Sequence, residues 1–148
     1  MKLLPAISII LGIVLFGLLV YKIVYEIRDN YENQQQDPYV LSLVEDIRKI
    51  DPAVDAVVDR LKFFKGRKSY TINKTYVHLC LFDKDGKIYQ KNQLVLVLLH
   101  EIAHALCDEV GHTDKFNMIF EDLLKKAEDY GVYNPNIPNI PDYCEYEN

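Results

Sequence analysis

The segment of residues 94–116, LVLVLLHEIAHALCDEVGHTDKF, constrains the fold of this chain more than any other stretch. It holds three of the four histidines, and His100 and His104 are four positions apart. On an α-helix, such positions lie on one face about one turn from each other, so that two imidazole nitrogens can reach a single metal ion. The pair therefore predicts a metal site, on the condition that the segment is helical.

The residues around the two histidines predict such a helix. Apolar side chains surround them, which is typical of a helix that is buried on most sides; they are Leu94, Val95, Val97, Leu98, Ile102, Ala105 and Leu106. Asn92 is the expected N-cap, and Gly111 is expected to end the helix. We therefore predict a helix from about Asn92 to Val110.

Glu101 lies one step round the same helix, displaced from the metal but placed to hold a water at an open metal position. A catalytic zinc ion keeps three protein ligands and one water, and it lowers the pKa of that water toward neutrality. A nearby carboxylate can then accept the proton as a general base. The H-E-x-x-H spacing therefore predicts a catalytic zinc site in which Glu101 is the catalytic residue.

The third metal ligand is expected among the residues after the helix. Gly111 can adopt the left-handed conformation that reverses the chain, and this would bring His112 back beside the C-terminal half of the helix. We therefore expect His100, His104 and His112 to hold the zinc ion. The alternative third ligand is Glu121, because a downstream carboxylate would complete a site of two histidines and one glutamate.

The sequence HEIAHALCDEVGHTDKF resembles the compact zincin metallopeptidases of the WLM and SprT-like group. Proteins of that group carry H-E-x-x-H, then a third histidine shortly afterwards with an aromatic residue four positions on; here these are His112 and Phe116. The interval from His104 to His112 is longer than the WLM type predicts. The resemblance implies a small zincin fold with His100, His104 and His112 on zinc and with Glu101 as the catalyst.

The N-terminal segment is apolar enough to cross a membrane. No charged residue occurs between Lys2 and Lys22, and residues 4–21 are close to the shortest helix that spans a hydrocarbon core of about 30 Å. A cleaved signal peptide is the rival interpretation, but small residues are missing at a cleavage-site spacing. We predict a single-pass membrane anchor in residues 1–28. The charges on its two sides differ too little to predict its orientation.

The rest of the chain is predicted to form one α+β domain. Residues 29–37, DNYENQQQD, are polar and are interpreted as a linker. Residues 38–148 are predicted to be a small zincin-like domain with an active-site helix, supporting helices and a short β-sheet. The pairs Asp37-Pro38 and Asp51-Pro52 each predict a helix N-terminus.

The second half of the domain carries further helix and strand signals. Thr113 is the expected N-cap of a helix that runs to about Tyr130. Residues 62–68 are basic and predict a solvated loop. Residues 69–82, SYTINKTYVHLCLF, are rich in β-branched and aromatic residues and predict an extended strand. Residues 87–90 are expected to return as a short partner strand after the Asp-Gly turn.

The resemblance also implies where a substrate would lie. In zincins a strand beside the active-site helix offers its edge to an extended substrate, and this role is expected for part of residues 76–82. His78 is a candidate to polarise the scissile carbonyl, although a single strand histidine is more often structural. Tyr76, Tyr89 and Tyr133 are equal candidates for that role.

Charge and cysteine content limit the remaining classes of function. The net charge of −5 and the pI near 5.3 argue against general nucleic-acid binding, because phosphate contacts need a basic face. Cys107 is predicted to be a buried thiol on the active-site helix. Cys80 and Cys144 are expected to be reduced by default, and to form a disulfide if the domain lies outside the cytosol. The proline-rich tail is expected to lack regular structure.

Together these features predict a membrane-anchored zinc metallopeptidase that hydrolyses a protein or peptide substrate with Glu101 as general base. The alternative is a membrane-tethered binding module in which a metal stabilises a small core without catalysis. Glu101 separates the two, since a structural zinc has no use for an acid at that position. A fourth protein ligand would favour the binding module.

Overall fold

The computed structural model describes residues 3–145 of the chain, and it divides into two compact units at residue 35. The first unit is a single helix, α1 (Leu3–Asn33), which is long and apolar enough to cross a membrane by length and composition. A signal sequence near the N-terminus would have the same properties. Residues 1–2 of the predicted anchor and residues 146–148 of the predicted domain lie outside the described residues.

The helix α1 extends further than the predicted anchor and includes residues 29–33 of the predicted linker. Two side-chain contacts one turn apart stabilise this polar end: Arg28 Nε lies 2.7 Å from Glu32 Oε1, and Asn33 Nδ2 lies 3.0 Å from Asp29 Oδ1. Pairs at this spacing each add a few tenths of a kcal/mol to a helix. The helical conformation therefore continues past the apolar segment.

The second unit is an α+β fold. In chain order it contains a helix, a short 3-10 turn, a second helix, three strands and two longer helices. Their bounds are α2 (Pro38–Ile47), the 3-10 turn (Arg48–Ile50), α3 (Pro52–Val58), β1 (Lys62–Gly66), β2 (Tyr70–Ile72), β3 (Tyr76–Cys80), α4 (Lys91–Leu106) and α5 (Asp114–Asp129). With α1, the described part of the chain has five α-helices and one three-stranded sheet.

The predicted helix starts in this unit are confirmed for α2, α3 and α5. Asp37 accepts hydrogen bonds from the backbone N–H groups of Tyr39 and Val40 at 2.9 and 3.0 Å. Asp51 accepts from Ala53 N at 2.6 Å, and the Thr113 side chain accepts from the first turn of α5. Each cap satisfies N–H groups that have no partner within the helix.

The sheet differs from the prediction in two places. Residues 62–68 were predicted to be a loop, but β1 occupies most of them because Phe63 and Phe64 are buried in the core. The stretch 69–82 was predicted to be one strand, but it forms a hairpin of β2 and β3. Residues 73–75 make the turn: Asn73 and Lys74 are left-handed, with φ of 50° and 52°, and Thr75 N donates to Ile72 O at 3.0 Å.

The strand order β1-β3-β2 places β3 in the centre of the sheet. It pairs with β1 in parallel and with β2 in antiparallel register, so that both of its edges are hydrogen-bonded. The expectation that part of residues 76–82 offers an edge to a substrate is therefore not met at residues 76–78, which are paired on both sides. The outer strand that contacts α4 is β2. Residues 87–90 were predicted to form a short partner strand, and the structure has one antiparallel β-bridge there, between Phe82 and Ile88.

The central helix of the unit is α4, which packs against α3, α5, β2 and β3. It is shorter than predicted, since it begins at Lys91 and ends at Leu106. The expected N-cap, Asn92, instead lies inside the helix and makes two hydrogen bonds to the backbone of Asn134 in the tail. The chain leaves the helix at Cys107, which has an extended conformation, four residues before Gly111.

The C-terminal tail lacks helix and strand from Gly131 to Glu145, as expected. It is joined to the sheet by a disulfide between Cys80, at the end of β3, and Cys144. The default expectation of a reduced pair is thus wrong for this structure, because the fold brings the two Cα atoms to 6.4 Å. Cys107 is free and buried, as predicted.

Candidate metal centre

Three imidazoles converge at the C-terminal end of α4. His100 and His104 face the same side of the helix, and His112 returns to them from the loop before α5. The Nε2 atom of His112 lies 3.0 Å from Nε2 of His100 and 3.2 Å from Nε2 of His104. The three ring centroids are each 4.9 Å apart. The predicted set of three histidines is therefore assembled at one point.

Hydrogen bonds alone cannot pair all three of these imidazole nitrogens. A neutral imidazole nitrogen is either a donor or an acceptor, so Nε2 of His112 can pair with only one of its two neighbours. A cation at the centre would accept a lone pair from all three nitrogens. Nitrogen ligands at about 2.1 Å from a tetrahedral ion lie roughly 3.4 Å from one another, close to the separations found here. The donor set therefore fits a metal ion.

The surroundings of the cluster favour the neutral form of His100 and His104, which is the form that binds a cation. Burial, and then the neighbouring rings of His104 and His112, lower the pKa of His100 to about 4. Burial likewise lowers the pKa of His104, with smaller contributions from His112 and Lys74. A metal binds the neutral imidazole, so these two rings need not release a proton at neutral pH.

Glu101 is buried beside the cluster, with 4% of its surface exposed. Its carboxylate oxygen Oε2 accepts a hydrogen bond of 2.7 Å from the hydroxyl of Thr71 on β2. Burial raises the pKa of Glu101, and the hydrogen bond from Thr71 opposes that shift. The side chain is thus held in one orientation by the outer strand of the sheet.

Phe116, in the first turn of α5, packs against all three imidazoles. Its ring stacks on His104 at 4.2 Å and meets His100 and His112 edge to face at 5.0 Å. Phe120, one turn later, meets His100 at 5.1 Å. Because Phe116 is itself almost fully buried, these contacts limit the rotation of the three rings.

The loop that carries His112 is fixed by contacts from two sides. Gly111 has φ of 84°, which allows the chain to reverse there as predicted. Lys74, in the β2–β3 turn, donates hydrogen bonds to the backbone carbonyls of Cys107 and Glu109. A cation near the last carbonyls of a helix also complements the negative end of its dipole. His112 is therefore held at the site although it is exposed.

The other candidates from the sequence do not join the cluster. Glu121 is exposed on α5 and is absent from the group of donor atoms that the described residues bring together. His78 is packed between the rings of Tyr70 and Phe64, with centroid distances of 4.5 and 5.3 Å. Its surroundings are those of a structural residue, and it lines neither of the clefts at the cluster.

Two open clefts reach His100 and Glu101. One, of about 810 Å³, contains all three imidazoles and is bordered by residues of β2 and the following turn, including Tyr70, Thr71 and Lys74. The other, of about 610 Å³, contains Tyr133 but neither His104 nor His112. Tyr76 and Tyr89, the other candidate donors, line neither cleft. Both clefts therefore adjoin the same two residues, His100 and Glu101.

Thr71 and Lys74 were missed by sequence reasoning. Both lie about 30 positions before their partners in α4 and in the following loop, and neither belongs to a short motif. The only signal was their place in the stretch that was expected to run beside the active-site helix. Contacts of this length depend on the pairing of strands, which a local pattern does not specify.

Comparisons with known proteins find relatives in viruses. The chain is 34% identical over 150 residues to uncharacterized protein 042R of invertebrate iridescent virus 3, covering 88% of this chain and 94% of that protein. It is 46% identical over 91 residues to uncharacterized protein 136R of invertebrate iridescent virus 6, and 39% identical over 80 residues to uncharacterized protein R325 of Acanthamoeba polyphaga mimivirus.

These matches differ in their coverage. The match to 136R covers 60% of this chain and 51% of that protein, and the match to R325 covers 53% and 40%. The chain thus spans about half or less of the length of those two relatives. No family model and no solved structure matches the chain. The relatives' names state no activity, so the function has to be inferred from this chain's own residues.

Proposed function

The chain belongs to the family of uncharacterized protein 042R of invertebrate iridescent virus 3. From its site, we infer that it is a membrane-anchored, zinc-dependent peptidase. The single observation that carries this proposal is the convergence of three imidazole Nε2 atoms beside a buried glutamate, at the meeting point of two clefts. Among the described residues no fourth donor joins the three histidines. A tetrahedral ion would therefore keep one position for water or substrate, as catalytic zinc sites do.

The choice of zinc rests on the chemistry of the donors. Neutral imidazoles suit zinc as well as copper, nickel and iron, and an open three-histidine site is a known catalytic arrangement for zinc. When bound, zinc would lower the pKa of a water at its open position toward neutrality and polarise the carbonyl of the substrate. His100, His104 and His112 would hold the ion, and Phe116 would keep their rings in place.

Glu101 performs the proton transfers in the proposed reaction. Its carboxylate takes a proton from the attacking water and later passes that proton to the leaving amine, with no covalent intermediate. Because burial raises the pKa of Glu101, the carboxylate is a stronger base than an exposed glutamate. Thr71 holds the carboxylate oxygen Oε2, so the other oxygen, Oε1, is the proposed proton acceptor.

An extended polypeptide is the substrate that the surroundings of the site fit best. The clefts are open at the surface, and β2, which contacts Glu101 through Thr71, is the outer strand beside α4. A peptide added along a strand edge is bound through its backbone, whatever its sequence. The small zincin-like character of the domain, and its likeness to the WLM and SprT-like group, belong to the same proposal.

The helix α1 is proposed to anchor this domain to a membrane as a single-pass segment. Its apolar stretch has a mean hydropathy of 2.6, and its side chains are unburied. An apolar helix with no protein around it is stable in hydrocarbon, where all of its backbone groups are satisfied within the helix. The substrate would then be a protein that reaches the same membrane surface.

The test uses the full-length protein in detergent micelles, loaded with zinc. We expect one bound zinc per chain by metal analysis, and hydrolysis of a mixed peptide library that is detected by mass spectrometry. Glu101→Gln should retain the zinc and lose at least about a hundredfold in rate, since general-base catalysis contributes roughly 10²–10⁴-fold. Glu121→Gln, the same change in an exposed residue of α5 that lines neither cleft, should keep full activity.

Two results would contradict the proposal. Equal hydrolysis by the wild type and Glu101→Gln would remove the mechanism. Bound zinc without hydrolysis of any peptide would favour a metal-stabilised binding module instead.

A further inference from the structure

About half of the side chains that line the smaller cleft beside the metal centre are aliphatic or aromatic, and the rest are polar or charged, including Lys68 and Glu145. The aliphatic and aromatic ones are Leu96, Val97, Phe120, Leu124, Tyr133 and Tyr143. All six are partly exposed, and all of them except Leu96 pack against the buried core. Apolar surface that is left open next to a core is costly to hydrate, so it favours the entry of an apolar group.

The position of this cleft relates it to the candidate metal centre. It shares His100 and Glu101 with the larger cleft, and Leu96 and Val97 lie four and three residues before His100 on the same helix. Residues at these spacings occupy one face, so the apolar wall continues directly from the first imidazole. Phe120, which touches His100 at 5.1 Å, continues that wall on α5.

The C-terminal tail forms the opposite wall and is fixed at both ends. At its start, the backbone of Asn134 is bonded to the side chain of Asn92 in α4. At its end, the disulfide joins Cys144 to β3, and the hydroxyl of Tyr143 lies 2.9 Å from the hydroxyl of Ser69. The tail therefore closes the cleft as a preformed wall, and a preformed wall lowers the entropic cost of binding.

We propose that this cleft is a specificity subsite, which binds a large apolar side chain adjoining the scissile bond of the peptide substrate. The inference rests on the proposed peptidase function and extends it to a substrate class: polypeptides with leucine, phenylalanine or a similar residue at the cleavage point. The volume of about 610 Å³ lies within the roughly 300–1,000 Å³ range of ligand pockets and accommodates such a side chain.

Peptides that differ only in the residue adjoining the cleaved bond test the subsite. Leucine and phenylalanine should raise kcat/KM by about tenfold or more over alanine and aspartate, because one methylene in an apolar pocket is worth roughly 10–200-fold. The measurement uses the full-length, zinc-loaded protein with fluorogenic peptides, and leucine is placed in turn on each side of the bond. Equal rates for leucine and alanine on both sides would overturn the subsite while leaving the peptidase function intact.

A charge placed inside the cleft should change the preference rather than abolish activity. Leu124→Glu should lower kcat/KM for the leucine peptide by about tenfold and raise it for a lysine peptide, with little change for alanine. Met118→Glu is the matched control, since Met118 lies on the same helix with 71% of its surface exposed and outside the cleft. An Leu124→Glu variant with the wild-type preference would contradict the proposal.

A binding measurement makes the test independent of turnover. N-acetyl-leucine hydroxamate and N-acetyl-alanine hydroxamate share a zinc-chelating group and differ only in the side chain. Calorimetry with the zinc-loaded wild type should give about tenfold tighter binding of the leucine compound, and Leu124→Glu should lose that difference. If no peptide is cleaved but the pair is still distinguished, the peptidase function fails, while the preference of the cleft for a large apolar side chain stands. Equal binding of both compounds, or binding of neither, overturns the subsite.

Discussion

The candidate metal centre has two halves that are held in place by different means. His100 and His104 belong to α4, whose backbone hydrogen bonds and buried residues fix their positions. His112 lies on an exposed loop and is brought to the site by Gly111, by Lys74 and by the start of α5. The first half follows from local helix geometry, whereas the second depends on contacts between distant parts of the chain.

This difference shows which interactions the site needs beyond its motif. A helix places two ligands at a fixed distance without outside help, so mutations elsewhere should leave that pair intact. The third ligand is held only while its loop is ordered. The following predictions test whether the two halves contribute equally to metal binding, and whether they can be disturbed separately.

The largest effect is expected from removal of a ligand. His104→Ala and His112→Ala should each weaken zinc binding by more than about a hundredfold, since even partners of metal ligands are worth 10–100-fold. Because contacts already hold the loop of His112 in place, the losses of zinc affinity in the two variants should agree within about tenfold. Competition with a chromophoric chelator measures both, and His78→Ala should bind zinc like the wild type. A His112→Ala variant with unchanged affinity would show that the loop half contributes no ligand.

Substitution of Thr71 tests the hydrogen bond between β2 and Glu101 on α4. Thr71→Val should lower kcat by about 10–100-fold, because a hydrogen bond to a charged group is worth roughly 1.5–3 kcal/mol. Zinc content and KM should stay unchanged, and Thr71→Ser should restore most of the rate. A fall in zinc content or a failure of serine to rescue would instead assign Thr71 a purely structural role.

Lys74 tests the loop half alone. Its charge lowers the pKa of His104, so a change in zinc affinity would mix two opposing effects. Amide hydrogen exchange in the chelator-treated protein separates them. Lys74→Met should speed exchange in residues 108–113 by about tenfold, while exchange within α4 stays the same. Lys125→Met, a substitution of an exposed lysine on α5, is the control. Unchanged exchange in the loop would mean that Lys74 does not hold it.

The smallest effect is expected from Asp51, which pairs with Lys126 away from the metal centre. The hydrogen bond from Lys126 lowers the pKa of Asp51 below its ordinary value of 3.8. The pair therefore stabilises the fold above that pH, and its contribution is lost as the pH falls through the lowered pKa. Asparagine can still cap the helix, so Asp51→Asn removes only the charge. Because Lys126 is partly exposed, this change should lower the free energy of unfolding by about 0.5–1 kcal/mol at neutral pH.

Urea unfolding of wild type and Asp51→Asn, followed by near-ultraviolet circular dichroism, measures this difference at neutral pH and again well below 3.8. The two proteins should converge at the lower pH, with equal zinc affinity at neutral pH. A difference that persists at low pH would assign the effect to the cap rather than to the charge.

The sequence predicted the features that depend on neighbouring residues. The caps at Asp37, Asp51 and Thr113 and the helical placement of the two histidines each rest on a pattern within one or two turns. The return of His112 was also predictable, because a glycine directly before it permits a left-handed turn.

The features that depend on strand pairing were not predictable in the same way. Lys62 to Lys68 looked like a loop because of its charges, although Phe63 and Phe64 bury it as β1. The stretch 69–82 is rich in residues that favour strands on both sides of Asn73-Lys74, and this dipeptide, in which asparagine tolerates a left-handed turn, was the one local signal of the hairpin. The prediction of a single strand there placed the expected substrate edge on β3, which is the central strand, and it hid Thr71.

X-ray absorption at the zinc edge of the zinc-loaded protein reports the atoms around the ion and therefore tests the three-histidine centre. Three imidazole nitrogens are expected at about 2.0–2.1 Å, with one further oxygen or nitrogen atom. His112→Ala should lower the number of imidazoles to two. A first shell with sulfur, or a spectrum that is unchanged in His112→Ala, would contradict the three-histidine centre on which the proposed chemistry depends.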